Sequence, residues 1–108
     1  MQPKENQRTI SDWAHDTFGK CSTYAAFLRM DKEYKELSDV MDQFLTWTPE
    51  QRAKALDQVA NECADILITL YRVADVSSFD LHEAVDHKMK INRARKWKVN
   101  SDGTGQHE

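Results

Sequence analysis

The sequence predicts an all-α protein, a four-helix-type bundle completed by oligomerisation. Three observations carry this. Only three Gly and two Pro interrupt 108 residues, no run of alternating β-branched residues is present, and apolar residues recur at helical spacing. A chain of this length is one domain, residues 1–108. Residues 1–8 and 100–108 are polar and expected to be flexible.

A first helix is expected from about Ser11 to Phe18, capped by Thr9 or Ser11 and stopped by Gly19. The second runs from near Ser22 to about Phe44, with the apolar stripe Ala26, Met30, Leu37, Met41 and Phe44. The third starts at Thr48-Pro49-Glu50-Gln51, where Thr48 caps, Pro49 takes the first helical position and Gln51 completes a capping box. It is expected to reach about Ala74. Its segment Cys63–Tyr71 is apolar almost all round, so a single small bundle cannot cover it and a subunit interface is expected. The fourth helix is announced by Asp80-Leu81-His82-Glu83 and expected to continue through about Trp97, with the tail from Asn100 as a loop.

Composition narrows the function classes. An apolar share of 40% builds a core, but no stretch approaches the ~18 apolar residues of a membrane span. The opening Met1-Gln2-Pro3-Lys4-Glu5 lacks a secretory h-region, so a cytoplasmic location is the expectation. Cys21 and Cys63 are too few for a disulfide scaffold or a thiolate zinc site. A net charge of −3 argues against a protein that coats nucleic acid.

Charges stand where core residues belong. Glu33 fills the missing step of the second helix's apolar stripe, and Glu36 follows three residues later. On the third helix Glu62 falls between Val59 and Ile66, with Asp65 three residues on. A buried, unpaired carboxylate costs several kcal/mol, so such groups are paired, protonated or bound to a cation. The bland alternative pairs these acids with Lys32, Lys35 or Arg72 at helix edges. If the four converge, their hard oxygens suit magnesium or manganese rather than zinc or copper. A di-iron bundle would want Glu-x-x-His, and no glutamate has a His three residues later.

The fourth helix supplies the opposite charge, with six cationic side chains between Lys88 and Lys98. Lys88, Asn92 and Arg95 fall at i, i+4 and i+7, one helical face able to hold a phosphate tail, with Lys96 adjacent. Trp13 offers a stacking surface for a nucleobase, the alternative being a core or interface tryptophan. Asp16, three residues on, offers a carboxylate to guanine N1–H and its exocyclic amine, the alternative being a solvated helix residue.

The order Trp13…Phe18, Glu33-x-x-Glu36, Glu62-x-x-Asp65, Lys88-x-x-x-Asn92-x-x-Arg95 resembles the MazG-like all-α nucleotide pyrophosphohydrolases, from about Ile10 to Lys98. Asp12-Trp13-Ala14…Thr17-Phe18-Gly19 and Asn92-Arg93-x-Arg95-Lys96-Trp97 look most like a phage-associated branch acting on dATP or dGTP. One departure stands out: 25 residues separate Glu36 from Glu62, more than in compact MazG domains, so the helices are longer or their join differs.

The resemblance implies hydrolysis of a nucleoside triphosphate, a purine deoxynucleotide such as dGTP or dATP, to the monophosphate and pyrophosphate. It implies Mg2+ (Mn2+ as substitute) held by Glu33, Glu36, Glu62 and Asp65, and a homodimer or dimer of dimers. It also implies no membrane or stable nucleic-acid partner. Two rival readings are a non-enzymatic nucleic-acid-binding module using residues 88–98, and a catalytically idle scaffold dimerising through the third helix.

Overall fold

The computed structural model describes residues 2–108. Four helices form it, α1 (Gln7–Phe18), α2 (Thr23–Phe44), α3 (Pro49–Val76) and α4 (Leu81–Ala94), followed by the short strands β1 (Trp97–Val99) and β2 (Gly105–His107). Local side-chain chemistry sets most of the boundaries. Ser22 Oγ accepts the Ala25 N–H, Thr48 and Gln51 bond each other's backbone N–H reciprocally, and Asp80 accepts the Glu83 N–H. Helix α3 closes through a Schellman-type bond from Phe79 N to Ala74 O at 3.0 Å, made possible by Ser78 in the left-handed region at φ 64°.

The long gap between Glu36 and Glu62 is resolved by helix length. α2 and α3 pack antiparallel over most of their lengths, joined only through residues 45–48. Arg52, in the first turn of α3, holds this corner. Its Nε donates to Phe44 O at 2.9 Å, satisfying an orphan carbonyl of α2, while its guanidinium lies 5.0 Å from the Phe44 ring centre. Helix α1 packs on α3, and Gln7 clamps it to the α3–α4 turn by donating to Phe79 O (2.8 Å) and accepting from Leu81 N (2.7 Å).

Two boundaries differ from expectation. Helix α1 begins at Gln7 rather than Ser11, because Asn6 and Thr9 form a capping box of their own. Helix α4 ends at Ala94 rather than Trp97. Arg95 is extended (φ −79°, ψ 153°), and Trp97 turns back to donate its indole N–H to Asn92 O at 2.6 Å. The tail expected as a loop is a hairpin pairing Trp97 with His107 and Val99 with Gly105. Its turn is held by Asn100 N to Thr104 O (2.7 Å) and by Asp102, which accepts from both the Thr104 N–H and hydroxyl.

The core is thin. Ala14, Ala26, Val40, Tyr71 and Ala74 are its buried apolar members, and no large side chain is fully enclosed among the described residues. On α3, Leu67 is 45% exposed and Ile68 36%. The accessible surface is 8637 Å², against roughly 6,200 Å² for a compact monomer of this mass. An excess of about 2,400 Å² thus remains open to solvent.

Candidate metal and nucleotide site

The antiparallel packing of α2 on α3 brings their acidic turns together. One carboxylate oxygen from each of Glu33, Glu62 and Asp65 lies within 4.8 Å of the others. Glu33 is buried at 5% exposure, because its position belongs to the stripe that faces α3. Arg29, one turn earlier, reaches it with Nη2 at 2.9 Å from Oε1. Glu62 Oε2 is buried without a hydrogen-bond partner.

Among the described residues the Arg29 guanidinium pairs with Glu33 alone, so the repulsion among three carboxylates at this spacing is only partly offset. An orphaned, buried carboxylate oxygen inside an all-oxygen donor set fits a hard divalent cation, and Mg2+ or Mn2+ matches the ligand chemistry. Glu36, the fourth acid, is exposed and stands outside the group of three. Of the partners considered for these acids, Lys35 pairs instead with Asp31 at 2.8 Å, and Arg72 bonds a backbone carbonyl.

A cleft of about 430 Å³ opens beside the acids, reaching Glu33 and Asp65 and walled by Trp13, Phe18, Ile68 and Arg72. Trp13 and Phe18 meet edge to face with ring centres 5.4 Å apart. Arg72 holds this wall from α3. Its Nη2 donates to Gly19 O at 2.6 Å and its guanidinium sits 5.8 Å from the Phe18 ring centre. Gly19, at φ 77° and ψ −159°, takes a conformation open to glycine, and so turns the chain sharply out of α1.

The remaining candidate residues lie elsewhere. Asp16 is exposed and does not line the cleft beside Trp13. Lys88, Asn92, Arg95 and Lys96 do not line it either. The shared face expected for Lys88, Asn92 and Arg95 is broken, because α4 ends before Arg95. Asn92 is engaged locally, donating to Met89 Sδ at 3.9 Å and accepting the Trp97 indole on its carbonyl. Sequence reasoning passed over Arg29, whose i−4 spacing from Glu33 was the available signal.

No protein-family model matches the chain. A solved cyanophage S-2L MazG-like pyrophosphohydrolase, bound to dGDP and three catalytic Mn2+ ions per active site, superposes with a TM-score of 0.63 at 24% identity, covering 94% of this chain and 92% of that one. This chain has the MazG-like fold. A dATP/dGTP diphosphohydrolase of Salmonella phage PMBT28 is 37% identical over 101 residues, which is 94% of this chain and 30% of the relative. The chain therefore spans about a third of that relative's length. In the MazG-like fold seen here, α2 and α3 supply the clustered acids and α1 supplies the aromatic wall beside them.

Proposed function

We propose that the chain is a metal-dependent nucleotide pyrophosphohydrolase, converting a purine deoxynucleoside triphosphate and water to the monophosphate and pyrophosphate. The observation that carries this is the convergence of Glu33, Glu62 and Asp65 beside an apolar, aromatic-walled cleft. The dATP/dGTP activity named for the phage relative and the dGDP in the cyanophage structure support the substrate class.

In this reading Glu33, Glu62 and Asp65 hold Mg2+ or Mn2+. Glu36, three residues beyond Glu33 on α2, offers a further carboxylate to a second ion or to the proton of the attacking water. The ions supply charge neutralisation on the phosphates and acidify that water. Attack at the α-phosphorus breaks its bond to the bridging oxygen of the β-phosphate, and pyrophosphate leaves. Trp13 and Phe18 receive the base against an apolar wall. Lys88, Asn92, Arg95 and Lys96 lie outside this cleft and keep the phosphate-binding role read from their charge and spacing.

Assembly belongs to the same reading. The excess of about 2,400 Å² is on the scale of an obligate interface, and the exposed Leu67 and Ile68 support a contact through α3. This supports a homodimer or a dimer of dimers. Among the described residues no helix is long and apolar enough to cross a membrane.

The deciding experiment measures pyrophosphate release from each of the four dNTPs, with Mg2+, with Mn2+ and with chelator. Release that needs the metal and favours dGTP or dATP is the expected result. Absence of pyrophosphate with every substrate and metal would overturn the enzyme reading. The mass in solution at micromolar concentration tests the assembly, and a folded monomer would overturn that part alone.

A further inference from the structure

Arg29 and Glu33 form an unequal pair. The Arg29 side chain is 62% exposed, whereas the Glu33 side chain, whose carboxylate it contacts at 2.9 Å, is 7% exposed. One partner is fixed by burial against α3 and the other reaches in from the cleft wall. The buried carboxylate therefore has two possible sources of compensation, the guanidinium or a divalent cation shared with Glu62 and Asp65. These do not add. A guanidinium and a divalent ion drawn to the same carboxylate repel each other, and partial burial limits the screening of that repulsion.

Geometry decides which partner yields. Glu33 cannot turn away without crossing the α2–α3 interface, whereas the solvent-facing side chain of Arg29 can rotate without leaving a cavity. The other guanidinium of the cleft, Arg72, is committed to Gly19 O and the Phe18 ring. That leaves Arg29 as the cleft guanidinium that can be released to an incoming anion. A triphosphate is a strong attractor for it, because the planar fork matches phosphate oxygens.

We propose that Arg29 is an internal counter-ion that competes with divalent metal for Glu33 and is drawn off by the substrate's phosphates. Metal then loads weakly before nucleotide arrives and tightly with it. This rests on the metal reading of Glu33, Glu62 and Asp65 and adds a positioning residue to it.

The test is Mn2+ binding, followed by electron paramagnetic resonance and calorimetry, to the wild type and to Arg29→Met, Arg29→Gln and Arg29→Lys, with helicity checked by circular dichroism. Without nucleotide, Arg29→Met and Arg29→Gln should bind Mn2+ about tenfold more tightly, the scale of one charge-assisted bond partly open to water. Arg29→Lys, which keeps the charge, should stay near the wild type. With an α,β-imido analogue of dGTP present, the gap between wild type and Arg29→Met should narrow. A purely structural brace would give the opposite sign, since losing it would loosen Glu33 and weaken Mn2+ binding. Weaker or unchanged affinity in both neutral variants overturns the competition while leaving the metal site standing. A gap equally wide with the analogue overturns release by phosphate. No Mn2+ binding by any of the four proteins overturns the metal reading and the proposal together.

Discussion

The phenol oxygen of Tyr71 and Nε2 of His82 share a hydrogen bond of 2.6 Å, and their rings lie 5.6 Å apart, so a residue near the end of α3 fastens the start of α4. A second tie is the Leu81 N–H bond to Gln7, and α4 buries no residue of its own. Tyr71→Phe and His82→Ala should each cost about 1 kcal/mol, with a coupling of similar size in a double-mutant cycle. Urea unfolding of the four proteins checks this, and strictly additive losses would show that the bond contributes nothing.

Glu33→Gln, Glu62→Gln and Asp65→Asn each remove a carboxylate charge while keeping side-chain volume. Each should lower kcat/KM by a hundredfold or more, since even outer-shell partners of metal ligands are worth about 10–100-fold. Glu36 lies outside the clustered three. Glu36→Gln should therefore lower turnover yet leave binding of the first Mn2+ intact, as calorimetry would report. Loss of all Mn2+ binding in Glu36→Gln would place that residue among the first ion's ligands.

Arg52 closes the corner between α2 and α3 with its bond to Phe44 O and its position beside the Phe44 ring. Arg52→Ala removes both and leaves a carbonyl at the end of α2 without its partner. A loss of about 1–2 kcal/mol is expected in denaturant unfolding, with activity at low denaturant nearly unchanged. Arg52→Lys should recover only part of it, because an ammonium lacks the planar fork.

The hairpin carries a pH dependence of known sign. The Thr104 hydroxyl and then the Thr104 N–H hold the Asp102 carboxyl below its ordinary value. A depressed pKa contributes stability above the unfolded value and loses it as pH falls through the folded one. The 97–107 hairpin should therefore loosen as pH drops below the usual carboxylate range, and Asp102→Asn should abolish that change. Amide shifts of Gly105, Gln106 and His107 in NMR spectra read it directly, and a hairpin indifferent to acid would refute the coupling.

The basic segment separates the enzyme from a nucleic-acid binder. Lys88→Ala should reduce kcat/KM about tenfold as a phosphate contact is lost, whereas Lys90→Ala should have little effect. In a binder of DNA or RNA both would weaken oligonucleotide binding alike, each lowering the salt slope by about one.

Much of this molecule is readable before it is folded. Ser22, Thr48 with Gln51, and Asp80 mark three helix starts because capping is local chemistry, settled within four residues. The start of α1 was missed because Asn6 pairs with Thr9, not with the Glu or Gln of the common box. The hairpin left no periodic signal, since each strand has only three residues and its pairing is non-local. Glu33 and Glu62 announced themselves by interrupting apolar stripes, and the structure groups them with Asp65. Glu36 and Asp65 share the three-residue offset and are both exposed, yet Asp65 alone joins Glu33 and Glu62, a distinction that the offset cannot make. Arg29 was hidden for the opposite reason, since a largely exposed charge on a helix flank usually serves only water, and here its tip also reaches the buried Glu33.

A core whose bulkiest buried apolar member is a tyrosine cannot supply the usual share of folding free energy from within one chain. In the proposed assembly much of that free energy would lie between subunits, making folding a reaction of higher order. Its melting temperature should then climb as the protein is concentrated and fall as it is diluted, by mass action alone. Dilution would act as a denaturant, and the cellular level of the chain would set how much of it is folded.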